Sequence, residues 1–127
     1  MLLERIELDK SVIELLASNI VLVTVKDKIV LEGDDIRAMK KVNLSLTQGK
    51  AYAIVSISGN YSSMSAEARE LLASNEMEMN RKAIAFVFDN LALRLLARFY
   101  IKINQPSVPT QSFPNKIEAI NWVKKYL

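Results

Sequence analysis

The stretch AIAFVF, Ala83–Phe88, is apolar at every position. A strand with one face in water alternates apolar and polar residues, whereas a strand covered on both faces need not. The unbroken run therefore predicts a central strand of a parallel sheet. Parallel neighbours cannot be joined by a tight hairpin, so each connection must cross over, normally through a helix. The rest of the chain meets that demand. Ala51–Ile57 is a second short apolar run, and Ala66–Leu72 between the two is helical, with Ala68, Leu71 and Leu72 on one face. "EGDD" at Glu32–Asp35 reads as a helix start, its aspartates favouring the positive end of the helix dipole. Ile36, Met39, Val42 and Leu46 follow with helical spacing, and Gly49 is expected as a left-handed cap.

The two ends complete the pattern. Val12–Leu16 and Ile20–Val25 are β-rich and flank the turn-prone Ser18–Asn19, which predicts an antiparallel hairpin. Asn90–Ile103 reads as a helix, PSVPTQSF as an extended edge segment and Asn115–Tyr126 as a closing helix. In that helix Glu118 stands three residues after Asn115 in capping-box spacing, and Ile117, Ile120, Val123 and Trp122 are expected to face inward. Together these give one α/β domain over residues 1–127: a mixed five-stranded sheet, mostly parallel, with an antiparallel N-terminal hairpin and about four helices. Leu3–Leu8 could add a further short strand.

Composition narrows the chemistry. Cysteine and histidine are both absent. That excludes disulfides, thiolate or imidazole metal sites, a cysteine nucleophile and the commonest general base. Gly33, Gly49 and Gly59 match no phosphate-loop spacing. No metal, cofactor or catalytic residue is expected, and the reading is against an enzyme. The net charge of +3 is spread along the chain. Nucleic acid is therefore an unfavoured partner, because its binders usually cluster their cations on one face. No apolar run reaches the roughly 18 residues of a membrane span, and stable membrane association is not expected. The expected setting is soluble and cytoplasmic.

Three stretches stand out. In Asn90–Ile103, Arg94, Arg98 and Lys102 form one ridge at i, i+4 and i+8, while almost every other position is apolar. A helix lying on a sheet buries only a stripe of about 100° or a little more. Something must cover the flanks, Leu93 and Tyr100 among them: a partner or a second copy of the chain, the C-terminal segment, or an apolar ligand beneath the helix. In NEMEM, Asn75–Met79, Glu76 and Glu78 lie two apart and point to different sides, so a solvated loop or helix end is expected. In ISGNYSSMSAEARELLAS, Ile57–Ser74, Ser65 is placed to cap the helix, and Ser62 and Ser63 to satisfy turn backbone groups.

The order of elements, with a serine loop after the third strand, resembles the STAS domain of bacterial anti-sigma-factor antagonists (stage II sporulation protein AA-like) and of sulfate-transporter cytoplasmic domains. PSVPTQSFPNKIEAINWV carries Pro-x-x-Pro-Thr-x-x-Phe, then Ala119 and Trp122. With AREL at Ala68–Leu71 and KAIAFVFDN at Lys82–Asn90, it is similar to a group of small uncharacterised bacterial STAS-like proteins. The resemblance spans nearly the whole chain. It implies a non-enzymatic interaction module whose partner is an anti-sigma factor or kinase-like signalling protein. The antagonists' Asp-Ser-Ser-Gly motif, laid on this chain without gaps, falls on Met64, Ser65, Ala66 and Glu67. Ser65 then takes the phosphoacceptor position, with Ser62 and Ser63 in the partner loop, but the acidic neighbour is lost and Glu67 replaces the glycine. The resemblance also implies the alternative of a small apolar-ligand carrier with a pocket under the Asn90–Ile103 helix.

Overall fold

A computed structural model of the chain describes residues 2–127. Six strands form the main sheet: β1 Leu2–Glu7, β2 Ser11–Leu16, β3 Ile20–Val25, β5 Tyr52–Ile57, β7 Arg81–Val87 and β8 Thr110–Phe113, in the order β1-β2-β3-β5-β7-β8. The first three pair antiparallel and the rest parallel. The sheet thus has one strand more than the five expected. The extra strand is β1, whose residues are mostly exposed, so burial leaves little pattern in its sequence; its pairing with β2 secures it. A separate two-residue ladder joins β4, Val30–Leu31, to β6, Ser63–Met64.

Four helices connect and close the sheet: α1 Gly33–Thr47, α2 Ala66–Ala73, α3 Leu91–Asn104 and α4 Lys116–Val123. The start of α1 is a capping box between Glu32 and Asp35, with Asp35 Oδ2 accepting from the Glu32 N–H at 2.7 Å. Its end is left-handed one residue earlier than expected, at Gln48, with Gly49 also at positive φ. The hairpin turn between β2 and β3 holds Ser18 and Asn19 in the same region.

Strand register divides the core. One face carries the rows Val21–Ile54–Ile84–Thr110 and Val23–Ser56–Phe86–Ser112, and α1, α2 and α3 lie over it. The other face carries Leu22–Val55–Ala85 and the flanking Ala53 and Ala83, small residues that let α4 seat Ala119 and Val123 with no exposed surface. On α4 the expected inward face needs correction. Ile117 is 71% exposed, and Ala119 takes its place beside Val123, with Ile120 and Trp122 partly buried. Trp122 packs between Phe113 and Tyr126. Its first turn is capped by Asn115, whose Oδ1 accepts from the Glu118 N–H at 2.9 Å. Among the described residues no helix is long and apolar enough to cross a membrane.

Candidate functional site: a cavity beneath the third helix

Helix α3 is rich in apolar residues yet little buried. Of α3 only Ala97 and Tyr100 are buried, while Leu96 and Phe99 are exposed by 63% and 62%. The helix rests on the sheet through Ala97 and Tyr100, and Tyr100 meets Phe86 edge-on. Between α3, α2, α1 and the sheet a cavity of about 550 Å³ opens. Two small residues border it. Ser56 is the small member of the row Val23–Ser56–Phe86, and Ala97 is the short residue on the sheet-facing line of α3. The middle is walled by side chains such as Ile54, Ile84, Leu72 and Phe86. Ser58, Ser62 and Ser63 line it near the C-terminal ends of β5 and β7; Lys40, Asn43 and Glu78 line it at the opposite end.

That second end is a buried polar cluster. Glu78 is 1% exposed, not the solvated residue its sequence neighbourhood suggested. Its Oε2 accepts from Asn43 Nδ2 at 3.1 Å and from the Tyr52 hydroxyl, and its Oε1 pairs with Arg81 Nη1 at 3.2 Å. Arg81 Nη2 donates to the Ser74 carbonyl at 3.0 Å. Lys40 Nζ donates to the same carbonyl at 3.0 Å and to that of Glu76 at 2.8 Å. The cations therefore take up backbone oxygens at and beyond the C-terminus of α2, which the helix itself cannot satisfy. Burial lowers the Lys40 pKa, with Glu78 opposing and Arg81 adding to the shift. Burial and the adjoining Glu78 carboxylate raise the Tyr52 pKa, and burial pushes that of Tyr100 up to about 12. Asn43 Oδ1 and Arg81 Nε have no partner among the described residues.

The serine loop lies at the other end. The Ser62 hydroxyl donates to the Lys26 carbonyl, and the Ser63 N–H to that of Ile29 at 3.1 Å. Ser65 Oγ accepts from the Ala68 N–H at 3.1 Å, so Ser65 is the N-cap of α2. Glu67 leans on Arg37 at 3.2 Å. Ser65→Ala should cost about 0.5–2 kcal/mol in urea denaturation and Ser65→Asp almost nothing, since aspartate caps equally well. Equal losses in the two variants would show that the cap contributes no stability.

The structure brings Leu93 and Tyr100 to the cavity and separates them from Arg98 and Lys102, which stand in solvent. Arg94 reaches back to the Phe88 carbonyl at 2.8 Å. The closing helix lies across the sheet and leaves the outer flank of α3 uncovered. Among the described residues no three acidic side chains gather as metal ligands. Sequence reading missed Tyr52, Lys40, Asn43 and Arg81, and placed Glu78 in solvent. Their one signal was charge and amide at helical spacing on α1, Lys40 and Asn43, facing an otherwise apolar set.

No curated protein matches this sequence. Among solved structures, the chain is similar to an uncharacterized protein of the DUF3478 family with a SpoIIAA-like fold from Shewanella loihica PV-4. The identity is 15%, the match covers 92% of this chain and 96% of that one, and the TM-score is 0.61. The likeness establishes the fold, which is the STAS-like fold that the order of elements suggested. A family profile matches residues 14–127. From Glu14 to the last residue, this chain belongs to the family described as "Domain of unknown function (DUF7793)".

Proposed function

We propose that this chain is a non-enzymatic, cytoplasmic STAS-type protein that binds an apolar, lipid-like small molecule in the cavity beneath α3. The observation that carries the reading is the cavity itself. Its volume of about 550 Å³ lies within the range of small-molecule sites, and its walls are mostly apolar, with polar groups at the two ends and Arg69, Glu70 and Asn104 contributed by α2 and α3. A well-packed core leaves few voids larger than a water molecule. A space of this size over a parallel sheet therefore supports a binding role.

Native mass spectrometry of the protein purified from its own cells tests the reading. The expected result is a retained mass of an apolar compound. Ala97→Trp, which places an indole in the cavity, should abolish retention while leaving the far-UV circular dichroism unchanged. A wild-type spectrum at the bare protein mass, with no uptake of added apolar compounds, would overturn it.

A second reading has its own support. Leu91, Leu95 and Phe99 are exposed on α3 beside Arg98, an apolar surface of the type proteins use for contact. A protein–protein module would use that surface, or the loop of Ser62, Ser63 and Ser65, to engage an anti-sigma factor, a kinase-like signalling protein or a second copy. It requires no retained small molecule, so the same spectrum separates the two readings.

A further inference from the structure

The side chains that open the cavity also face solvent. Leu96, Phe99 and Ile103 line it and are exposed by 63%, 62% and 62%. Residues that do both mark its mouth. At 3.6 residues per turn, Leu95, Phe99, Ile103 and Leu96 fall within an arc of about 100° on the outside of α3. Beyond Leu95 the arc continues through Lys102, Leu91 and Arg98, all in solvent. The helix, LALRLLARFYIKIN, contains no acidic residue. Arg94 is taken up by the Phe88 carbonyl at 2.8 Å. Arg98 and Lys102 enter no ion pair among the described residues. Of the carboxylates that line the cavity, Glu78 is buried, and Glu70 is exposed on α2.

An apolar strip edged by unpaired cations is suited to the boundary between lipid headgroups and acyl chains. The strip sinks below the headgroups, and long basic side chains reach up to the phosphates. We infer that α3 docks reversibly on an anionic phospholipid bilayer through Leu95, Leu96, Phe99 and Ile103, with Arg98 and Lys102 on lipid phosphates. Charge selects this occupant. A second copy seated on the same face would bring both pairs of Arg98 and Lys102 into one interface, with no acidic residue on either helix to offset them. Against a bilayer, Glu70 opposes the contact with one carboxylate against two cations. The docked face is also the mouth of the cavity, so an apolar compound passes between bilayer and cavity without crossing water. The inference goes beyond the cavity reading and does not depend on it, because the contact uses the outside of the helix.

The test is co-sedimentation of the full chain with vesicles of mixed phosphatidylcholine and phosphatidylglycerol, and with vesicles of phosphatidylcholine alone. The mixed vesicles should bind the chain more tightly, and the difference should vanish in about 1 M salt, where charge is screened beyond about 3 Å. Each cation at an anionic surface is worth about fivefold, so Arg98→Gln with Lys102→Gln should weaken binding to mixed vesicles about twentyfold. Lys124→Gln with Lys125→Gln removes the same charge beyond α4, on the opposite face of the sheet, and should change binding by about twofold or less. Leu91→Ser with Leu95→Ser, at exposed positions outside the cavity lining, should weaken binding about tenfold on both kinds of vesicle. If that variant does not fold, the two charge variants decide. No binding to either vesicle would overturn the inference, as would equal losses in the two charge variants, which would trace binding to net charge rather than to α3. A wild-type dimer in light scattering that Leu91→Ser with Leu95→Ser makes monomeric would assign the face to a second copy and overturn it too. Each of these outcomes leaves the cavity reading standing, and a bare protein mass beside intact vesicle binding removes the cavity reading alone.

Discussion

Glu78→Ala should destabilise the protein by about 3–5 kcal/mol in urea denaturation, against a total of about 5–15 kcal/mol for a domain of ordinary stability. The loss comes from what stays behind. Arg81 is 1% exposed and would keep a full charge with one backbone carbonyl as its remaining side-chain partner. Lys40, another buried cation, stands close by and would no longer be offset by the carboxylate. The Tyr52 hydroxyl and Asn43 Nδ2 would also lose their acceptor. Glu78→Leu combined with Arg81→Met should recover most of the loss, because replacing both partners of a buried ion pair by apolar groups of similar volume is often neutral or better. A single variant within about 1 kcal/mol of the wild type would show that the cluster contributes little. A double variant as unstable as the single would place the cost in lost packing rather than in an uncompensated charge.

Why this cluster was invisible in sequence, when the sheet was not, is a matter of range. AIAFVF announces a covered central strand because the strand period acts within six residues, and the caps at Ser65 and Asn115 are contacts three residues long. The ion pair of Glu78 and Arg81 is also local, but its burial is not. It depends on Asn43 and Tyr52, 35 and 26 residues away along the chain, and on α1 lying over the turn that follows α2. In isolation, NEMEMNR is a polar stretch with two glutamates on different sides, and the general rule for such stretches is exposure. The rule fails at Glu78, where carboxylate oxygens find three side-chain donors. The excess apolar surface of α3 was legible as a need for cover, but periodicity carries no information about the space between a helix and its sheet. That space is bordered by small residues, Ser56 on β5 and Ala97 on α3, which are far apart in sequence. β1 was half legible for the opposite reason: it is a strand held by pairing to β2 rather than by burial.

Gly59→Ala should cost about 1–3 kcal/mol, measured by the same denaturation. The glycine has no phosphate-loop role, and its backbone does not require positive φ; its reason is proximity. It follows β5 by two residues, where the chain turns beside the end of β3. A Cβ at this position would lie 2.3 Å from the Lys26 carbonyl oxygen and 2.5 Å from that of Val25. Both are backbone atoms, so no rotamer change relieves the clash, and the two loops must separate. They are held together by the Ser62 hydroxyl on the Lys26 carbonyl, by the Lys28 N–H on the Asn60 carbonyl at 2.8 Å and by the Asn60 N–H on Asp27 Oδ1 at 2.7 Å. Parting them strains all of these contacts and shifts Ser58 and Ser62 at the serine end of the cavity. Gly33→Ala is the matched control. There the crowding atom is Glu67 Oε1 at 2.0 Å, the far end of a flexible side chain that can swing into solvent at the expense of its exposed pairing with Arg37. That variant should stay within about 0.5 kcal/mol of the wild type, because an exposed ion pair contributes little and alanine favours the helix over glycine. Equal stability of the two variants would mean that the loop around Gly59 yields without resistance, and the serine end of the cavity would then have no fixed shape.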